Sequence, residues 1–182
     1  TATVTIAYEG AESKTVTVKQ AAASQGGDEP AEKAWTLVKS ASELAVGDQI
    51  IIAAKGSNVA LSTTQNTNNR GQEAITKSGD TLGNPSSSVQ IITLQAGKKD
   101  GSFAFYTGEG YLYAASSSKN YLKTEKTLSD NSSWSISVST AGVATIKAQG
   151  SNTRNLLRYN SQSSLFSCYS SGQQEVAIYK LQ

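Results

Sequence analysis

The chain has 182 residues, 16 basic against 14 acidic, and charged residues make up only 16% of it. The resulting net charge of +2 gives no electrostatic reason to expect nucleic acid or another polyanion as a partner. Histidine is absent and Cys168 is the single cysteine, which removes the usual general base, the commonest metal ligand, thiolate zinc sites and any internal disulfide.

Ser, Thr, Asn, Gln and Gly take the place of charge, as on the surfaces of exported β proteins. Methionine is missing even at position 1, which is expected of a processed chain. No window approaches the roughly 20 apolar residues that cross a bilayer.

Residues 1–20 carry a hairpin signal: Thr3 to Tyr8 alternates, EGAESK turns, and Thr15 to Gln20 alternates again. Twenty residues cannot bury a core alone. The hairpin therefore belongs either to a domain that begins upstream or to the edge of the domain downstream of it. Residues 21–34, AAASQGGDEPAEKA, read as a flexible, solvated linker. Trp35 to Val38 is a short strand, and Ser40 three places before Glu43 predicts a single capped helical turn.

From there a four-strand phrase recurs. It is clearest at 102–139, where SFAFYTG, YLYAAS, YLKTEKT and WSISVS are each bounded by turn formers. Degraded copies lie at 48–95 and 143–181. KGSN (55–58), TGEG (107–110) and QGSN (149–152) share one slot, and Ala60-Leu61, Tyr111-Leu112 and Leu156-Leu157 open the second strand. Val89-x-Ile91, Trp134-x-Ile136 and Val176-x-Ile178 close the copies. The first copy carries extra loop, expected at 64–71 and 79–88.

Three copies of four strands resemble the β-trefoil. The expected fold is all-β: a β-trefoil-like barrel over 35–182, preceded by a hairpin fragment of an Ig-like sandwich at 1–20. The ricin-type branch closes each repeat with Gln-x-Trp; here only Trp134 matches, and Ser132 stands at the Gln position. TVTVKQ followed by AAAS is similar to the close of the BACON domain of Bacteroidetes surface proteins. The opening carried by Trp35, Leu37, Val38, Leu44, Gly47, Asp48, Ile50, Ile52 and Ala53 resembles a phrase common in secreted proteins of that group. Together these imply a secreted or cell-surface module of a longer Gram-negative protein.

No pairing of carboxylates argues for a two-acid glycosidase site, and Ser116 to Lys119 matches S-x-x-K only inside a Ser-rich turn. Cys168, between Ser167 and Tyr169 on a predicted strand, reads as a small buried hydrophobe. An enzyme and a cofactor are not expected. Binding remains. Aromatic faces match the C–H patches of sugars, and amides and guanidinium groups bond paired hydroxyls. The candidates are Asn69 and Arg70 in the first copy, Tyr113, Asn120 and Tyr121 in the second, and Asn155, Arg158, Tyr159, Asn160 and Tyr169 in the third. The third copy is favoured, because Arg154, Arg158 and Tyr159 crowd one hairpin; Trp134 is expected in the core. Each candidate also has a structural explanation, since Asn caps turns and Tyr packs on strands. The expected partner is a glycan or polysaccharide, with no nucleic acid and no membrane span, bound by a monomeric module. The alternative is a spacer or protein-interaction module that binds no sugar.

Overall fold

The computed structural model describes residues 2–6, 10, 14–18 and 34–182. Most of the expected EGAESK turn and the 21–34 linker, Ala34 apart, lie outside the described residues. The chain divides into two units, Thr1–Glu32 and Lys33–Gln182. In the first, strands β1 (Ala2–Ile6) and β2 (Lys14–Val18) pair antiparallel, from Ala2 opposite Val18 to Ile6 opposite Lys14.

The second unit is all-β, with almost no helix and one antiparallel sheet of 15 strands. Strand β3 (Trp35–Leu37) leads into a 3-10 turn at Ala41–Glu43. The Ser40 hydroxyl accepts from the Ser42 N–H at 3.3 Å, and the Glu43 carboxylate accepts from Lys39 N–H at 3.1 Å. The capping residues thus act where expected, with Glu43 reaching one residue further back than a capping box requires.

Six strands then pair in a ring. β4 (Gln49–Ala54) pairs with β9 (Ile92–Ala96), and β9 with β10 (Phe103–Tyr106). β10 pairs with β13 (Ser133–Val138), and β13 with β14 (Ala144–Ala148). β14 pairs with β17 (Val176–Leu181), which returns to β4. Three hairpins interrupt the ring sequence at matching points: β5 (Val59–Gln65) with β6 (Arg70–Ala74), β11 (Tyr111–Ala114) with β12 (Leu122–Glu125), and β15 (Leu156–Asn160) with β16 (Leu165–Tyr169). A small hairpin of β7 (Lys77–Ser78) and β8 (Thr81–Leu82) pairs onto β3, which pairs onto β17.

This layering explains the unbroken apolar run of β4, since a strand covered on both faces has no polar side to show. Ile50, Ile52 and Ala54 face the central core with Phe105, Trp134 and Ile178. Ile51 and Ala53 face a second cluster with Trp35, Leu37 and Leu82 from the outer strands β3 and β8 and with Tyr179 from the ring strand β17. Trp134 is fully buried, stacks on Phe105 with centroids 5.4 Å apart, and donates to the Leu112 carbonyl at 3.0 Å.

Two details of the first copy differ from the expectation. Its closing strand begins at Ile92, which pairs with Ile50 as Trp134 pairs with Phe103 and Val176 with Ala144. Val89 instead bridges to Ser62 on β5, and Ile91 is 39% exposed. The landmark is therefore Ile92-x-Leu94; two adjacent apolar pairs of equal spacing made the slip easy. The stretch 64–71 is a tight hairpin end, because β5 runs to Gln65 and β6 starts at Arg70. The extra chain of this copy is spent on the β7–β8 hairpin.

Candidate functional site

The ten candidates differ in burial and in what their polar atoms bond. On β15 the side chains alternate: Tyr159 points inward, 4% exposed, while Arg158 and Asn160 lie on the other face, half-buried. The Tyr159 ring lies 4.9 Å from Phe166, and its hydroxyl donates to the Gln72 side chain. Asn160 accepts from the Gln162 and Ser163 N–H groups, both at 3.1 Å, and so caps its own turn. Tyr169 is buried; burial pushes its phenol above the ordinary value, with a bond from Asn160 opposing. The Asn155 carbonyl accepts from Ala148 N–H at 2.9 Å. Arg158 lies opposite Ser167, and its shielded Nη1 has no partner.

In the second copy, the side-chain oxygen of Asn120 accepts from Arg154 Nη1 at 2.8 Å, and its carbonyl accepts from the Ser167 hydroxyl at 2.6 Å. Asn120 therefore fastens the second hairpin to the third. Lys123 Nζ sits 5.9 Å from the Tyr121 ring centroid. Tyr113 stands opposite Lys123, its phenol pushed up first by burial and then by Glu125. Asn69 closes the first hairpin, accepting from Asn66 Nδ2 at 2.8 Å.

Arg70 is different. It is only 4% exposed and makes no ion pair. The ladder between β5 and β6 shifts register between Leu61 and Gln65, which turns local carbonyls out of the sheet. Arg70 Nη1 donates to Thr63 O at 2.8 Å, to the Gln90 side-chain oxygen at 3.2 Å and more weakly to Ser62 O at 3.4 Å. Nη2 donates to the Thr124 hydroxyl at 2.8 Å, tying the first hairpin to the second. Nε has no acceptor. Burial pushes the guanidinium below its ordinary value, and Glu109 opposes that shift.

Arg70 lines a recess of about 100 Å³ together with Thr63, Gln90, Thr107 and Glu109. Gln90 is held by its own contacts: Nε2 donates to Ile91 O at 2.7 Å and to Thr107 O at 3.2 Å. The mouth is the turn 107–110, where Gly108 takes φ +93°, a value side-chain-bearing residues rarely adopt. Thr107 N–H and Oγ1 both donate to the Gly110 carbonyl, at 2.9 and 3.0 Å. Glu109 is left exposed at the rim with no ion pair among the described residues. Of the five lining residues, only Arg70 is a candidate from the sequence. Gln90 and Glu109 are not among those candidates, although TGEG aligns with the corresponding turns of the other copies.

The turns after β14 and β4 are built differently. In the turn after β14, a Cβ on Gly150 would meet the Asn131 side chain at 2.1 Å, and Asn152 Nδ2 donates to Ala114 O at 2.8 Å. In the turn after β4, the Ser57 hydroxyl donates to the Gln174 side chain at 3.1 Å. A larger recess of about 420 Å³ lies along Gly47, Asp48, Gln49, Thr93, Leu181 and Gln182. Its one charged group, Asp48, is already held by Lys180 at 3.0 Å and by Ala45 N–H at 2.7 Å.

Among the described residues no group of three His, Cys, Asp or Glu could hold a metal ion, and no helix is long and apolar enough to cross a membrane. No family model matches the chain. No curated protein matches it either. Solved structures do. A GH43 β-1,3-galactosidase aligns with TM-score 0.55 and 11% identity over 81% of this chain. The lysenin pore aligns with TM-score 0.48 and 16% identity over 74%. This chain spans 29% of the galactosidase chain and 49% of the lysenin chain. With the galactosidase the likeness is one of all-β fold.

Proposed function

We propose that this chain is a non-catalytic carbohydrate-binding module of a secreted or cell-surface protein, and that residues 35–182 form a β-trefoil. The six-strand ring with three hairpins supports the trefoil. Residues 1–20 are then the closing hairpin of an Ig-like, BACON-like domain, and 21–34 the linker between the two.

The observation that carries the binding role is the Arg70 recess, where a buried guanidinium, an amide, a carboxylate and two hydroxyls surround a small space. Such a set offers donors and acceptors to the paired hydroxyls of a sugar. The absence of histidine leaves Glu109 without an evident partner for acid–base work.

A glycan array followed by titration calorimetry tests the role. Glu109→Ala should weaken any hit by roughly 1–3 kcal/mol, the cost of leaving a ligand hydroxyl unpaired. Arg158→Ala, at a residue that does not line the recess, should leave affinity unchanged. Failure of every glycan at millimolar concentration would favour a spacer or protein-interaction module. That second reading draws on Asn120, Asn160 and Tyr159, whose polar atoms are engaged within the chain.

A further inference from the structure

We infer that Glu109 makes the recess selective for uncharged saccharides over the corresponding sugar acids, an inference that rests on the carbohydrate-binding role proposed for the same recess. The recess holds two opposite charges that are not bonded to each other. Arg70 spends its Nη1 on Thr63 O and Gln90, and Nη2 donates once, to Thr124. A guanidinium has five N–H groups. One on Nη2 therefore remains for a ligand; Nε–H also lacks an acceptor but is shielded from solvent.

Glu109 is an acceptor only. The one lysine that reaches its residue, Lys126, donates at 2.7 Å to the Glu109 carbonyl and not to its carboxylate. Its N–H is bound to the Thr107 hydroxyl at 3.4 Å, and Gly108 and Gly110 flank it in a tight turn. The carboxylate therefore projects from a fixed turn at the mouth.

A hydroxyl both accepts and donates. A pair of adjacent hydroxyls can accept from Arg70 and donate to Glu109 together, satisfying both charges with no net change in charge. A carboxylate can accept from Arg70 but has no proton for Glu109. It would also bring a second negative charge beside Glu109. Gln90 is fully occupied and forms a wall, so it cannot turn to offset the mismatch.

The test is a two-dimensional NMR titration of the full chain with D-galactose against D-galacturonate, and D-glucose against D-glucuronate. Members of each pair differ only at C6. In whichever pair binds, the neutral member should bind at least about tenfold tighter, the worth of one charge-assisted bond kept or lost. Shifts should centre on the amides of Thr63, Thr107 and Glu109. Glu109→Gln should reduce the preference to less than about threefold, because the amide no longer repels the acid and can donate to it. The melting temperature should not move, since Glu109 is exposed. A wild-type preference for the acid, or an undiminished neutral preference in Glu109→Gln, overturns the selectivity while leaving sugar binding intact. Shifts confined to residues away from the recess overturn the site alone. No shift with any of the four sugars overturns this inference, while the glycan array decides the carbohydrate-binding role separately.

Discussion

A single residue can have the right chemistry for a ligand and still point the wrong way. Tyr159 is a candidate sugar-stacking phenol by type, yet on β15 it faces the core with Leu157 while Arg158 and Asn160 face out. The alternation is visible in LLRYN; grouping residues by proximity along the chain ignores the period of two. Tyr159→Phe removes the bond to Gln72 and should cost about 1 kcal/mol. Tyr159→Ala opens a cavity beside Phe166 and should cost about 3–5 kcal/mol. Urea unfolding measures both, and a neutral Tyr159→Ala would contradict the burial. Cys168 was legible, because a lone cysteine on an apolar strand has little else to be. It is fully buried, and burial pushes its thiol far above the ordinary range. Thiol reagents should therefore fail to label the native protein at pH 8 and label it promptly in urea.

At the scale of elements, the strands could be found from their apolar runs and turn formers, but their partners could not. QIIIAA announces a strand covered on both faces, and β3 with β8 supplies the second cover. Nothing local shows that Trp35 and Leu82 will lie side by side, since that pairing depends on β3 crossing to β17 first. The β13–β14 turn presses on the same cover. A Cβ on Gly142 would meet Leu37 at 2.7 Å, and the residue takes φ +75°. Gly101 takes φ +70° with open space around it. Gly101→Ala should cost about 1 kcal/mol for the backbone alone. Gly142→Ala should cost roughly 1–3 kcal/mol more, for the overpacking against Leu37. Equal losses in thermal unfolding would mean that the turn yields freely.

For the whole molecule, an all-β fold of short strands was readable, whereas the place of the Arg70 recess was not. The buried Arg70 guanidinium lines a recess with Gln90 and Glu109, whereas Asn131 presses on Gly150 and Gln174 bonds Ser57. Sugar binding should accordingly show one site per chain in calorimetry; three equal sites would contradict the side chains in the turns after β14 and β4. With no histidine, stability should change little near neutrality. In alkali it should fall. Burial raises the pKa of Cys168 from 9.0 and of Tyr113, Tyr169 and Tyr179 from 10.0. Between the unfolded and folded values the unfolded chain releases protons that the folded one keeps, so unfolding gains as pH rises above about 9. Lys77, lowered by burial and then by Lys55, works in the opposite sense, as does the Arg70 guanidinium, lowered by burial. Urea midpoints from pH 7 to 10.5 check the sign, and a rising midpoint would mean that the two cations dominate.

The ring also sets a timetable. Ile52 pairs with Ile178, so the loop that must close spans most of the unit before that contact yields any stability. Refolding should be slow for a domain of this size, on the order of milliseconds to seconds. During synthesis β4 waits without its β17 neighbour, an unpaired edge open to other chains. Once β17 has docked, no ring strand has a free side from which to fray. Amide hydrogens of all six should then exchange at similar, late times rather than in a graded order from one margin.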